Sequence, residues 1–411
     1  MLRGTQSPAN VLKAQPERTK AKCTSAHEPS DSRRVLAVIR FPIGGIRTYI
    51  LYHYPFLIRS GYAFTFCIAD EEGHESLREE ANTWKGSEVI VAPLSGRRWP
   101  ARRALRSLLR SGRFDLVHSH GLTAGVYAAM ANWRIGVPHV VTSHDVFRPD
   151  QFSGLTGRIK RVVLSRLLGR ADAIVSVSNG AQQNLLNYLP SLARSHCQLV
   201  PILNGIDTRR FARAMPPESG GLRSQLGLLP NTFLIGFMGR FMTQKGFLPL
   251  LDALERLASQ DTARPYHVVA IGSGDYQGEY KAEAVRRGLR QTITFLPFIP
   301  DASQVMGRLD LLVMPSLWEA CGLLAMEALS AGVPVIASDC PGLREVLEGT
   351  PAVTVAPGDA AALSNTLYGA IADPWTDAAR AYAPTAQKRF NASGSASLLR
   401  EVFHNLQQRH T

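Results

Sequence analysis

Apolar positions in this chain fall in short runs separated by helix-length segments. The runs at residues 35–41, 62–68, 88–92, 115–119, 139–143, 172–178 and 198–203 are rich in Val and Ile and read as strands. The segments between them repeat their apolar residues every three or four positions and read as helices. Runs that are apolar throughout belong to parallel sheets covered on both faces. The same alternation returns after residue 207, with runs at 233–238, 266–271, 292–296, 310–314, 333–337 and 352–356. The pattern predicts an α/β protein of two doubly wound domains that face a cleft. The segment from Asp207 to Asn231 separates the two series and contains Pro216, Pro217, Gly220 and Gly221, so the boundary falls there or slightly earlier. Residues 1–33 are polar and without period, and read as a disordered leader.

Composition narrows this only a little. A chain of 411 residues suits two domains of about 150–200 residues each. Lys and Arg number 46 against 33 Asp and Glu, a net charge of +13, which favours a polyanionic partner or an acidic membrane surface. Cys23, Cys67, Cys197, Cys321 and Cys340 are widely spaced and odd in number, as in a reducing cytoplasm. The first residues carry no apolar signal region, and no stretch approaches the ~18 apolar residues of a membrane span.

The most informative stretch is Pro315 to Asp339. Glu319 lies in a turn-like segment and Glu327, eight positions on, inside the following helix, which Gly332 and Pro334 end before a strand at Val333–Ala337. Free amides at a helix start attract an anion, and carboxylates beside them suit sugar or ribose hydroxyls. Upstream, Gly239, Arg240, Lys245 and Gly246 follow the run FLIGFM and precede a helical pattern. Glycine permits close backbone approach to phosphate, while Arg and Lys supply charge; the plain alternative is a strand-to-helix turn with solvated cations. Gly44 and Gly45 follow the first strand and serve either as a tight turn or as a backbone contact for a diphosphate. Gly272 and Gly274 read mainly as a turn, because the full G-x-G-x-x-G fingerprint is absent.

His118, His120 and His144 stand near strand ends. Each is either a packed structural residue or a donor to sugar hydroxyls, and His144, followed by Asp145, is the best placed for the latter. His118 and His120 lack a third ligand, and no D-x-D pair occurs, so no metal is expected. Ser178 and Asp207 read as caps or turns, and Asn204 and Gly205 as hinge residues. Residues 97–113 hold seven arginines and no acid. Ala101, Ala104, Leu105, Leu108 and Leu109 give this helix one apolar face. It is either a surface helix with a solvated basic side or a dock for anionic lipid headgroups. No nucleic-acid motif appears, and nucleic acid is not expected as a partner.

Taken in order, GGIRTYI, DLVHSHG, VTSHD, ADAIVSVSNG, ILNGID, GRFMTQKG, PSLWEACGLLAMEALSAGVPVIASD and APGD resemble the GT-B glycosyltransferases of family 4, a large retaining group also known as glycosyl transferases group 1. The resemblance spans roughly residues 35–405. It implies two Rossmann-like domains, the acceptor domain at 34–207 and the nucleotide-sugar domain at 208–385, with the end of the chain, 386–411, packing back on the first. It implies hexosyl transfer from a nucleotide-diphosphate-sugar without a metal or other cofactor. Arg240 and Lys245 would bind the diphosphate, Glu319 and the backbone of Cys321, Gly322, Leu323 and Leu324 the sugar, and Glu327 the ribose. Gly45, with Gly44, would approach the diphosphate, and His144 would face the reacting sugar. Cys321-Gly322 stands where the family often has Phe-Gly, and Cys340-Pro341-Gly342 where it often has Gly-Gly. The expected setting is a cytoplasmic enzyme of bacterial polysaccharide or exopolysaccharide assembly, at the inner face of the membrane, with a carbohydrate or lipid-linked acceptor. The alternatives are another GT-B enzyme, an epimerase or hydrolase, and a non-catalytic nucleotide-sugar or membrane-surface binding protein.

Overall fold

The computed structural model describes residues 32–95, 98–212 and 221–410. The segment read as a leader, up to residue 31, lies outside these residues, as do Cys23, Arg97, Pro216, Pro217 and Gly220. Among the described residues thirteen strands form two sheets. The first contains β1 (Arg33–Ile39), β2 (Tyr62–Ala69), β3 (Glu88–Ala92), β4 (Leu116–His120), β5 (His139–Ser143), β6 (Ala173–Ser176) and β7 (Gln198–Pro201), in the order β3-β2-β1-β4-β5-β6-β7. The second contains β8 (Phe233–Met238), β9 (Tyr266–Ile271), β10 (Ile293–Leu296), β11 (Leu311–Met314), β12 (Val335–Ser338) and β13 (Val353–Val355), in the order β10-β9-β8-β11-β12-β13. Every pairing is parallel.

Each apolar run of the sequence lies on one of these strands. Leu36 and Val38 of β1 join the cluster on one face of the first sheet, and Val35, Ala37 and Ile39 the cluster on the other. Both faces are therefore covered, which is why the strands are apolar throughout. In the second sheet Phe237, Phe241 and Phe247 pack ring against ring, with Phe237 and Phe247 edge to face at 4.8 Å. Burial of each such ring contributes roughly 1.5–3 kcal/mol. The run at 333–337 needs one adjustment. The Val333 amide bonds back to the Ala328 carbonyl at 2.9 Å and Gly332 has φ +70°, so 332–334 close the helix and β12 begins at Val335.

Strand order reverses between β1 and β4 and between β8 and β11. Crevices for ligands open at the carboxyl ends of strands flanking such a reversal. The polypeptide crosses between the halves twice, at neighbouring points. Ile206 donates to the Phe390 carbonyl at 2.8 Å and accepts from Ala392 at 2.9 Å, forming a one-residue parallel bridge with Asn391. A Cβ on Gly205 would overlap the Ala392 backbone. Ala386 and Phe390 belong to the core of the second half. The helix Ala392–His410 instead lays Leu399, Val402, Phe403 and Leu406 on the first sheet.

Candidate active site

In the second half, two loops meet beyond β8 and β11. The loop after β8 runs from Gly239 through a short turn at Thr243–Lys245 to Gly246, which opens the helix Phe247–Ala258. The loop after β11 runs from Pro315 to Gly322, which opens the helix Leu323–Ser330. Leu317 donates to the Gln244 carbonyl at 2.8 Å, and the Gln244 amide donates to the Trp318 carbonyl at 3.0 Å. Gly246 has φ +69°, and a Cβ there would overlap the Pro315 carbonyl. Its glycine is therefore required by the packing of one loop on the other. Gly272 and Gly274 are likewise packed on the carbonyls of Gly239 and Phe241.

This clamp brings Lys245 Nζ to 2.5 Å from Glu319 Oε1, and the Ser316 hydroxyl donates to the same oxygen at 3.0 Å. Glu319 is only 5% exposed. A carboxylate this buried would cost several kcal/mol without a cationic partner, so the pair holds both charges at the rim of the crevice. The Lys245 side chain runs beside Gly239, whose φ of +135° is a conformation that favours glycine. Arg240 stands apart from this pair. It is partly exposed and reaches towards Glu72 of the first half, 3.8 Å away.

The helix Leu323–Ser330 starts without a side-chain cap; in its first turn the Ala325 amide bonds to the Gly322 carbonyl at 3.0 Å, and the Leu324 amide is left for a ligand. The Leu323 amide is an exception among the expected donors, because it bonds to the Cys321 carbonyl at 3.1 Å. Gly322 has no room for a Cβ against Leu343. Glu327, 5% exposed, lies further along this helix and does not share the Lys245–Glu319 contact. Burial, and then the charge of Asp301, push its carboxyl up to about 8. It faces Tyr52 of the first half, whose phenol is pushed up first by burial and then by Glu327.

From the first half, Gly44 and Gly45 open the helix Gly44–Arg59, whose N-cap Ile43 supplies no side-chain bond. A Cβ at either glycine would meet nothing within 4 Å, so this helix start is open space. Gly44 needs its glycine for φ +57°; Gly45 has no such requirement in this structure. His144, half-buried just beyond β5, ends a buried chain of hydrogen bonds. Thr142 Oγ1 meets His118 Nε2 at 2.7 Å and His118 Nδ1 meets the Tyr54 hydroxyl at 2.8 Å. The same hydroxyl meets His120 Nε2 at 2.6 Å, and His120 Nδ1 meets His144 Nε2 at 3.0 Å. A phenol has one hydrogen, so Tyr54 donates to one imidazole and accepts from the other, and the chain holds His118 and His120 in the same tautomer, both protonated at Nε2 or both at Nδ1. Burial, reinforced by neighbouring imidazoles, keeps the chain uncharged, and His144 is pushed down to about 3. His118 and His120 are thus the support beneath His144.

Contacts across the crevice join the halves. Asp145, whose carboxyl is pushed up chiefly by loss of solvent, also senses the charges of Glu319 and Lys245. The Arg148 guanidinium lies over the Trp318 ring at 4.8 Å. Ser178 caps the helix Asn179–Tyr188 by accepting from the Ala181 amide at 2.9 Å, and donates to the Ala320 carbonyl at 2.6 Å. Asn179 donates through backbone and side chain to Glu345, at 2.7 and 2.8 Å. Sequence reading overlooked Tyr52, Tyr54 and Glu345. The first two had a signal in the polar-aromatic run YHYP inside a helix; Glu345 had none.

Two parallel sheets meeting through these loops define a GT-B glycosyltransferase. Residues 43–210 match the family model described as Glycosyltransferase Family 4, and residues 232–373 that described as Glycosyl transferases group 1. The chain belongs to glycosyltransferase family 4. It is 30% identical over 316 residues to 2-deoxystreptamine glucosyltransferase of Streptomyces kanamyceticus, covering 71% of this chain and 73% of the relative. It is 28% identical over 293 residues to alpha-maltose-1-phosphate synthase of Mycolicibacterium smegmatis, covering 67% and 73%. Among solved structures, Anabaena HepE in complex with UDP-glucose matches with a TM-score of 0.75 and 22% identity, over 90% of this chain and 99% of that one. WaaG, a glycosyltransferase involved in lipopolysaccharide biosynthesis, matches with a TM-score of 0.67 and 18% identity, over 89% and 99%.

Proposed function

We propose that this glycosyltransferase moves a hexosyl group from a nucleoside-diphosphate sugar to a lipid-linked acceptor in bacterial polysaccharide assembly, with retention at the anomeric carbon and without a metal. The observation that carries the reading is the Lys245–Glu319 contact, a cation and a buried carboxylate held together at the crevice. The UDP and UDP-glucose complexes of HepE support the donor class, and the role of WaaG in lipopolysaccharide biosynthesis supports the acceptor class.

In this reading the bond from the anomeric carbon to the diphosphate oxygen breaks, and negative charge grows on the leaving group. Lys245 and Arg240, with the open helix start at Gly44–Gly45, stabilise that charge, and preorganised charge is the largest single aid to such a step. Gly239 lets the β8 loop approach the phosphates, and Gly246 keeps Lys245 in place. Glu319 accepts from hydroxyls of the donor sugar, with amides of Cys321, Gly322 and Leu324 beside it, and Glu327 binds the ribose. His144 hydrogen-bonds to the reacting sugar from the acceptor side. The acceptor oxygen attacks from the face the diphosphate leaves, and a leaving-group phosphate oxygen takes its proton. Motion about the paired crossings at Ile206 and Asn391 closes the crevice and excludes water. The setting that fits this acceptor is the cytoplasmic face of the membrane, with the basic helix Arg98–Arg110 turned to anionic lipid.

The test is a screen of nucleoside-diphosphate sugars by thermal shift, followed by turnover with the stabilising donor. Proton NMR of the product should report the donor's own anomeric configuration, and excess chelator should leave the rate unchanged. Inverted product, or a rate abolished by chelator and restored by a divalent ion, would overturn those parts of the reading. Conversion of donor without acceptor would favour an epimerase or hydrolase, and tight donor binding with no turnover a binding protein.

A further inference from the structure

The outward side of the helix Gly154–Leu168 is apolar, where a helix of a free-standing domain is ordinarily polar. Gly157, Ser165 and Leu168 turn inward and are buried. Leu155, Ile159, Val162 and Val163 occupy the opposite side at spacings of four, seven and eight residues, and are exposed to 73, 56, 47 and 40%. Single exposed apolar residues need no explanation, but four on one stripe form a continuous patch that does. The sequence of this helix, GLTGRIKRVVLSRLL, holds four cations and no acid. Arg158 flanks the stripe and Arg166 extends it by a turn, both exposed. Lys160 and Arg161 instead turn to the Phe152 ring, and Lys160 also donates to the Gln151 carbonyl at 3.4 Å.

The neighbouring helices extend the basic character. Arg98–Arg110 also lacks acids, but its Ala101, Leu105 and Leu109 are buried. Its Arg102 and Arg106 donate to carbonyls of Met130, Ala131 and Trp133, closing the helix Leu122–Asn132 that lies between the two basic helices. That helix therefore brings charge and the exposed Trp99, whereas the apolar stripe belongs to Gly154–Leu168.

We infer that this face docks on an anionic bilayer, with Leu155, Ile159, Val162 and Val163 set into the headgroup boundary and Arg158 and Arg166 on lipid phosphates. Charge complementarity selects this occupant. A second copy packed face to face would set Arg158 and Arg166 against their own equivalents, with no acid on either basic helix to offset them. The chain also leads from the crevice into the stripe. The segment from His144 to Arg148, which touches Trp318, leads through the turn Pro149–Phe152 directly into Leu155. A lipid-held acceptor would then enter beside the reacting sugar; that clause rests on the proposed transfer, and the docking itself does not.

The experiment is cosedimentation of the full chain with vesicles of phosphatidylcholine alone and with about one third phosphatidylglycerol. Binding to the anionic vesicles and not the neutral ones is expected, weakening as salt rises. Ile159→Ser/Val162→Ser changes only exposed positions and should weaken binding about tenfold or more. Arg158→Ala/Arg166→Ala should weaken it comparably and flatten its salt dependence. Both variants should turn over a water-soluble acceptor at the wild-type rate. Equal binding to neutral and anionic vesicles, no binding, or unaltered binding by the serine variant would overturn the inference. So would a wild-type dimer in sedimentation velocity that the serine variant dissolves, since the face would then cover a second copy. Vesicle binding that persists in a protein with no transfer activity would sink the proposed reaction and leave the docking standing.

Discussion

Replacing Lys245 by alanine tests its contact with Glu319 and the catalytic role proposed for it. Its ammonium sits 2.5 Å from Glu319 Oε1, and Ser316 gives that oxygen its other hydrogen bond. The Glu319 and Lys245 side chains are 7% and 22% exposed, so solvent replaces little of what is lost. Breaking a buried pair typically costs about 3–5 kcal/mol. The surviving Ser316 bond lowers the expectation to about 2–4 kcal/mol, read by denaturant unfolding. Loss of one preorganised group opposite a departing anion costs about 2.7–4 kcal/mol of barrier, or roughly 10²–10³-fold in kcat. The double variant Lys245→Ala/Glu319→Gln distinguishes the two. It removes the buried charge together with its partner, so stability should return while turnover stays low. Turnover of Lys245→Ala within about threefold of wild type would refute the assignment. Recovery of turnover in the double variant would show that Lys245 acts only through Glu319.

Glu327 has a folded-state pKa near 8 against 4.5 in the open chain, so the native state holds the extra proton and stability falls as pH rises between those values. The loss totals about 3–5 kcal/mol, and Glu327→Gln should melt above wild type at pH 8 and lose this slope; an unchanged slope would refute the claim. His53 and His144, held down to about 4 and 3, work in the opposite sense: the open chain takes up protons first, and stability drops as pH falls below about 6.5. Tyr54→Phe leaves His118 and His120 each short of a partner, at about 1–3 kcal/mol per group. It should lower kcat more than it changes the donor KM, and nitrogen NMR should show His144 with a mixed tautomer; a single unchanged tautomer at full kcat would count against the chain as a positioning device. Gly246→Ala should lower stability by several kcal/mol, because alanine meets both the Pro315 carbonyl and an unfavourable φ, and a near-wild-type melting temperature would contradict the loop clamp. Ser178→Ala removes a helix cap and a bond between the halves, and about 1–2 kcal/mol should be lost on unfolding; an unchanged free energy would show that neither bond matters.

The interior strands were legible because a strand covered on both faces is largely apolar, and that demand is local; the partly exposed β3 and β13 still carry short Val-rich runs. The error at Val333–Pro334 came from the same source, since an apolar run does not tell where a helix end bonds its last amides. The pieces of the crevice were legible as motifs, for glycine beside a cation and paired carboxylates each mark a short stretch of chain. Their assembly was not. Lys245 and Glu319 stand 74 residues apart, and only the pairing of β8 with β11 sets their loops side by side. In the same way, HSH announced a strand end, whereas the phenol that joins its two rings arrives from a helix 64 and 66 residues earlier.

The amino-acid order therefore determined which segments become strands and helices and which short motifs carry charge, because those follow from nearest neighbours along the chain. The tertiary structure alone decided which side of the helix Gly154–Leu168 meets the helix Leu122–Asn132, that Glu327 is buried opposite Tyr52, and that His118, His120 and His144 stay neutral. Each of these depends on how much water and which charges lie within a few ångströms, and residues remote in the chain supply both.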